Sequence, residues 1–181
     1  MNIVRSDIPE VIILEPKMFG DERGYFYESY NERDFASKVN IETRFVQDNH
    51  SRSAKNVLRG LHYQIRQAQG KLVCVTAGEI YDVAVDIRRS SATFGKWVAH
   101  ILSDKHRQML WVPPGFAHGF LVTSDYAEVQ YKTTDFWAPE FERSIIWNDP
   151  DIGIDWPLAG APVLAAKDQA GRPLKEAEVF E

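Results

Sequence analysis

The chain has 181 residues, 21 Lys+Arg against 26 Asp+Glu for a formal charge of −5, and 44% apolar residues. Those values fit one soluble domain over residues 1–181 with its own core, and the lack of a Lys/Arg run argues against a nucleic-acid partner. No stretch approaches the roughly eighteen apolar residues of a membrane span, the lone Cys74 has no disulfide partner within the chain, and the opening MNIVRSDIPEVII lacks a signal peptide's apolar run, so a cytoplasmic address with no membrane partner is expected.

In chain order, YNERDFASKVN predicts the one helix: Asn31 caps it, Tyr30 and Phe35 form a hydrophobic staple, and Phe35 with Val39 makes an apolar i, i+4 pair. This helix is expected to cover one rim of a sheet. Beyond it, turn signals recur at Gly60, Gly70, Gly78, Ser90-Ser91, Gly95, Ser103-Asp104, Pro113-Pro114-Gly115, Ser124-Asp125 and Pro139, which suggests a meander of short strands. Between the turns, KLVCVTA (71–77), EIYDVAVDIR (79–88), FGKWVAHILS (94–103), GFLVTS (119–124) and AEVQYKTT (127–134) carry β-branched and aromatic residues. In 79–88, Tyr81, Val83, Val85 and Ile87 share one face and Asp82, Asp86 and Arg88 the other, which predicts a half-buried strand. The tail DQAGRPLKEAEVFE (168–181) is polar enough to lie across the surface. A single antiparallel barrel or sandwich accommodates these elements.

Two stretches hold polar groups that strands do not need. In FVQDNHSRSAKNVLRGLHYQ (45–64), strict alternation puts Arg59 and His62 on opposite faces, so they share a pocket only if Gly60 bends or bulges the strand. Taken alone, Arg59 reads as readily as a solvated strand residue and His62 as a satisfied core histidine. In LWVPPGFAHGF (110–120), Pro113-x-Gly115-x-x-His118 resembles the second motif of the cupins, whose histidine points into the barrel. Their first motif supplies a His-x-His pair and a nearby carboxylate for a metal; here the place reads His62-Tyr63-Gln64-Ile65-Arg66, with no acid before Glu79. That donor set predicts no metal. Taken alone, Lys71 reads as a solvated strand-edge lysine, and Tyr131, in phase with Ala127, Val129 and Thr133, reads equally as a core tyrosine.

Together GDERGYFYESYN, FVQDNHS, VLRGLHYQ, QGKLV, G-x-x-x-DVAVDIR-x-SS-x-TFGKW, PPGFAHGFLV, YKTTDFW and GIDWP resemble the dTDP-4-dehydrorhamnose 3,5-epimerase family from Asn2 to about Lys175. The resemblance implies an all-β fold, a cupin-like jelly-roll barrel (double-stranded β-helix) with a short rim helix and a C-terminal tail. It also implies a homodimer without cofactor in dTDP-L-rhamnose biosynthesis, inverting C3 and C5 of a dTDP-linked 4-keto-6-deoxy sugar, dTDP-4-dehydro-6-deoxy-D-glucose. Inversion beside a ketone needs a base, a partner for the enolate oxygen and an acid on the opposite face. By resemblance these are His62 with Asp168 orienting its ring, Lys71, and Tyr131. Arg23 and Arg59 match phosphate contacts, Glu28, Gln47 and Asn49 nucleotide contacts, and His118 a contact beside the sugar. Amino-terminal residues of one subunit are implied to help build the partner's nucleotide site. After Lys132 the chain reads TTDFWAPEFER where relatives often have adjacent tyrosines, so the base-stacking aromatic is Phe136 or Trp137, with Trp137 favoured; Glu142 and Lys167 fall at further substrate contacts. The rival readings are a keto-sugar epimerase or isomerase inverting one carbon and a non-catalytic sugar-nucleotide-binding jelly roll.

Overall fold

The computed structural model describes residues 1–39 and 43–181. In chain order the elements are β1 (Asn2–Arg5), β2 (Ile12–Glu15), β3 (Phe19–Asp21), β4 (Gly24–Phe26), α1 (Glu32–Val39), β5 (Gln47–Ala54), β6 (Leu58–Gln64), β7 (Lys71–Ala77), β8 (Glu79–Asp86), β9 (Trp97–Ser103), β10 (Met109–Val112), β11 (Phe116–Val122), β12 (Tyr126–Thr133), β13 (Glu142–Ser144) and α2 (Ala166–Gln169). They form a six-stranded sheet in the order β1-β2-β10-β7-β12-β5 and a five-stranded sheet in the order β13-β6-β11-β8-β9, with β3-β4 a separate hairpin. The two larger sheets face each other across Ile13, Val73, Val75, Ile80, Ala84, Phe116, Phe120 and Val129, which make the core of the expected jelly-roll barrel.

Alternation places residues on the correct faces but does not say what covers each face. β8 is buried on both sides, not half-buried: Asp82 and Asp86 are wholly enclosed with Ile80 and Ala84 on the inner face. Its other face, Tyr81, Val83, Val85 and Ile87, packs under Ile152, Trp156, Leu174 and Val179 from the C-terminal third. Asp86 tolerates burial because Arg88, Ser91 and Thr93 donate to it, at 2.6–2.9 Å. Burial pushes its carboxyl up, but those bonds outweigh it and bring the pKa down to about 2.

The tail is likewise more than a surface strand. Leu174 and Val179 are buried, Phe180 exchanges backbone hydrogen bonds with Ile87 and Arg89, and the Tyr63 hydroxyl donates to the Glu178 carbonyl. The helix also corrects the expected placement. Asn31 caps it by accepting from the Asp34 N–H at 3.1 Å, and Tyr30 packs on Phe35 at 6.1 Å between ring centroids, as anticipated. Yet Phe35 and Val39 lie among Ile12, Leu14, Leu72, Met109 and Trp111, the outer face of the six-stranded sheet, and not over a rim. Phe35 meets Trp111 edge-on at 5.3 Å, so a sheet-face aromatic cluster gives this helix more apolar surface to bury than a rim would.

Gly60 supplies the bend that the sequence required. On β11, His118 and Phe120 are two positions apart, while their partners His62 and Arg59 on β6 are three apart, the mark of a bulge. Gly60 takes φ +135°, and a Cβ there would meet the Gly119 Cα at 2.5 Å, so no larger residue fits.

Candidate active site

A cavity of about 500 Å³ opens between the two sheets. It is lined by Gln47, Asn49, Arg59, His62, Lys71, His118, Tyr131, Trp137, Glu142, Lys167 and Asp168, all anticipated from the sequence. Arg23 and Glu28 are the exceptions. Both are exposed and away from this chain's cavity: Arg23 pairs with Asp21 on the β3-β4 hairpin, and Glu28 accepts from Asn31. For Arg23 the physical reason is the short, solvent-facing β3-β4 hairpin, which pairs with neither larger sheet; Glu28 follows it on an exposed connection to α1.

The cavity's two walls differ in origin. His62 and His118 are directly opposite on β6 and β11 of the five-stranded sheet. Lys71 and Tyr131 belong to β7 and β12 of the six-stranded sheet, where Tyr131 pairs with Val73, one inward position from Lys71. The imidazole of His62 and the phenol of Tyr131 therefore reach the cavity from different sheets.

His62 Nε2–H donates to Asp168 Oδ1 at 2.5 Å, which leaves Nδ1 with the free lone pair because an ionised carboxylate only accepts. Burial depresses the His62 pKa, with Lys167 and Lys71 adding to it, and outweighs the opposing pull of Asp168. The ring is neutral at pH 7. Asp168 lies in α2, only 2% exposed. Burial would raise its carboxyl, but the hydrogen bond and charge of His62, with the Gly60 backbone N–H and Lys167 adding, hold it below the ordinary range.

Lys71 is 8% exposed and donates to the His62 carbonyl at 3.2 Å. Burial brings its pKa down from 10.5 to about 8, with Asp82 and Glu142 opposing. Burial raises the Tyr131 hydroxyl, so it remains protonated. Arg59 is held by donation to Ser53 Oγ at 2.9 Å. Lys167 donates to Glu142 at 2.7 Å, and this pair outweighs the effect of burial and keeps the Glu142 carboxyl low.

Asp82 escaped sequence reasoning, which set it on the polar face of a half-buried strand. His118 Nε2–H donates to its Oδ1 at 2.8 Å, and its Oδ2 has no hydrogen-bond partner among the described residues. The available signal was its phase: Asp82 shares parity with Ile80 and Ala84, both of which are core residues. Gln69 and the apolar wall Val163–Ala165 were also missed. Gln69 opens the QGKLV motif beside Lys71 and could have been found from it, whereas residues 163–165 carry no periodic or compositional signal.

Among the described residues no group of three or more His, Cys, Asp or Glu is placed to hold a metal ion. His62 and His118 have each committed Nε2 to a carboxylate, and Gln64, at the second cupin histidine, uses its amide on backbone groups. This donor set does not suit a divalent cation.

A family model described as dTDP-4-dehydrorhamnose 3,5-epimerase matches residues 5–176. The chain is 60% identical over 180 residues to the dTDP-4-dehydrorhamnose 3,5-epimerase of Pseudomonas aeruginosa, covering 99% of each. Its fold superposes with a TM-score of 0.96 on a Legionella pneumophila dTDP-6-deoxy-D-glucose-3,5-epimerase solved with dTDP-4-keto-L-rhamnose, at 53% identity over 98% of this chain and 94% of that one. A 3′-monoepimerase from Streptomyces bikiniensis, solved with dTDP-quinovose, is more distant: 29% identity, TM-score 0.88, 94% and 87% coverage.

Proposed function

The chain belongs to the dTDP-4-dehydrorhamnose 3,5-epimerase family, and we propose that His62, Lys71, Tyr131 and Asp168 carry its reaction. It is an epimerase that converts dTDP-4-dehydro-6-deoxy-D-glucose into dTDP-4-dehydro-L-rhamnose, a step of dTDP-L-rhamnose biosynthesis. His62 Nδ1 takes the proton α to the C4 ketone, and Asp168 stabilises the imidazolium that forms. Lys71, cationic below about pH 8, faces the enolate oxygen. Tyr131 then protonates C5 from the opposite face, His62 returns its proton to solvent, and the abstraction is repeated at C3, where a solvent proton arrives from that same opposite face. No step in this sequence requires a metal or cofactor.

The observation that carries this reading is the origin of base and acid on opposed sheets, the arrangement that inversion requires and simple exchange does not. Two-carbon inversion is favoured over one by the 60% identity to a 3,5-epimerase against 29% to a 3′-monoepimerase. Incubation with the keto-sugar nucleotide in deuterated water tests it. Label and inverted coupling constants are expected at both C3 and C5; inversion at one carbon alone identifies a monoepimerase.

For the nucleotide, Arg59, Gln47 and Asn49 receive the diphosphate and thymidine, Trp137 stacks on the base, and His118, Glu142 and Lys167 contact the sugar end. Arg23 and Glu28 complete the partner's pocket in a homodimer. Support for this comes from their distance from their own cavity and from the exposed Phe19, Tyr25 and Phe26 beside them, at 52%, 56% and 66%. Exposed aromatics clustered on a two-stranded hairpin suit contact with a second copy. Light scattering checks the dimer, and Arg23→Ala should weaken nucleotide binding without changing this chain's own pocket. A cytoplasmic location for the domain at residues 1–181 belongs to the same proposal, in keeping with the free thiol of Cys74.

A further inference from the structure

Trp137 is 59% exposed on the loop after β12, where an indole would ordinarily sample many orientations. The loop beneath it is tied down by amide side chains from three separate places. Gln69 Nε2 donates to the Asp135 carbonyl at 2.9 Å. Gln47 Oε1 accepts from the Trp137 N–H at 3.1 Å. Gln64 grips both flanks: its Nε2 donates to the Phe136 carbonyl at 3.1 Å and its Oε1 accepts from the Ala138 N–H at 2.9 Å. A further Nε2 donation reaches the Gln67 carbonyl at 2.8 Å, so both amide hydrogens are used. Gln64 is 4% exposed and lies two residues from His62 on β6, in phase with it.

Only an amide suits this task. One neighbour of Trp137 offers a carbonyl and the other an N–H, and a planar group with donor at one corner and acceptor at the other meets both. We propose that Gln64 is a positioning residue that fixes the Trp137 platform at a set distance from His62, with Gln47 and Gln69 bracing the same loop. The consequence is preorganisation: an exposed ring that is already oriented does not have to be ordered when the pyrimidine arrives. Because base and platform are fixed through one strand, the separation between the reacting carbons and the nucleotide anchor is set by β6 itself. The inference rests on the stacking role given to Trp137 above.

The test is a double-mutant cycle read by calorimetry with dTDP. Gln64→Met keeps length and neutrality but removes the amide. It is expected to weaken dTDP binding about five- to tenfold, to raise KM for the keto-sugar nucleotide by a similar factor with kcat much less affected, and to add nothing in a Trp137→Ala background. Should Gln64→Met fail to fold by near-ultraviolet circular dichroism, Gln69→Ala carries the same cycle with a loss of about two- to threefold. If Trp137→Ala weakens dTDP and the glutamine variant does not, the inference falls and the stacking role stands. Equal losses in both backgrounds also overturn it, because the glutamine then acts elsewhere. If Trp137→Ala itself leaves affinity unchanged, the stacking role fails and the inference with it.

Discussion

His62 and His118 lie directly opposite each other on neighbouring strands, and each donates its Nε2–H to a different buried carboxylate, Asp168 and Asp82. The two imidazoles share a wall but not a counter-ion, so each ring is oriented independently. His62 receives its partner from the far C-terminal region and His118 from the next strand of its own sheet. That separation makes the base a removable part, and it sets the first expectation.

His62→Ala abolishes solvent exchange at both C3 and C5, since one base serves two protons. Loss of a positioned general base costs on the order of 10²–10⁴ in rate. Asp168→Ala is milder, because Asp168 orients the ring and stabilises its charged form but takes no substrate proton. Deuterium incorporation measured by proton NMR on the folded variants checks both. Exchange at either carbon near the unmodified rate in His62→Ala would show that another group is the base.

Tyr131→Phe separates exchange from inversion. His62 and Lys71 still form the enolate, but with the phenol gone the proton returns only from the face it left. Label then enters the sugar with retained configuration at the carbon that Tyr131 serves, expected to be C5. Tyr131 is only partly buried beside the core, so removing its hydroxyl leaves the fold intact. Coupling constants of the recovered nucleotide sugar give the result, and undiminished inversion at both carbons excludes Tyr131 as the acid.

The pH profile of kcat/KM follows from two depressed pKa values. His62 acts in its neutral form, and burial lowers its pKa, so activity falls only as pH drops below the ordinary 6.5. Lys71 acts as a cation, so activity falls as pH rises through about 8. Tyr131, with its pKa raised, stays protonated across the whole range. A plateau extending well above pH 9 would remove Lys71 from its role.

Lys71→Met should be inactive yet more stable. The folded protein holds this ammonium at a pKa of about 8 against 10.5 ordinarily, so between those values the unfolded state keeps a proton that the folded state has lost. Stability therefore rises with pH between about 8 and 10.5, and the full penalty is felt at neutral pH. At about 1.4 kcal/mol per pKa unit, the penalty is on the order of 3 kcal/mol, reduced by the lost bond to the His62 carbonyl. A thermal melt at pH 7 should show Tm raised by several degrees, and that gain should shrink toward pH 10. A lower Tm would mean that Asp82 and Glu142 already compensate the charge.

Chelation should leave turnover unchanged, because Gln64 stands where a metal-binding barrel has its second histidine and its amide is committed to three backbone groups. Dialysis against a strong chelator followed by the exchange assay measures this. Activity lost on chelation and restored by a divalent ion would overturn it.

How legible all this was in the sequence varies by the kind of information involved. Local patterns transferred directly: KLVCVTA is β7 residue for residue, Asn31 caps α1, and the requirement that Gly60 break the alternation is met by a bulge. Long-range coverage did not transfer. The polarity of Asp82 and Asp86 suggested solvent, but they face the core because hydroxyls, guanidinium and imidazole arrive from loops and strands that no local period reveals. Phe35 and Val39 announced an apolar helix face without saying which surface it meets. The cavity residues were found through ordered motifs, and the alternation of residues 57–64 alone left Arg59 and His62 undecided. Arg23 and Glu28, expected to bind the nucleotide, lie outside the cavity of a single copy of the chain.

His62 and Asp168 stand 106 residues apart in sequence, and the last strand of the two larger sheets ends at Ser144. During synthesis, both sheets are therefore available to pair before the carboxylate that orients the base has been made. The segment that follows brings Asp168 and then, with Leu174 and Val179, seals the outer face of the five-stranded sheet. Chemical competence is thus among the last things the emerging polypeptide acquires. A protease cutting between Ser144 and Asp168 would silence the enzyme while sparing every strand of its barrel.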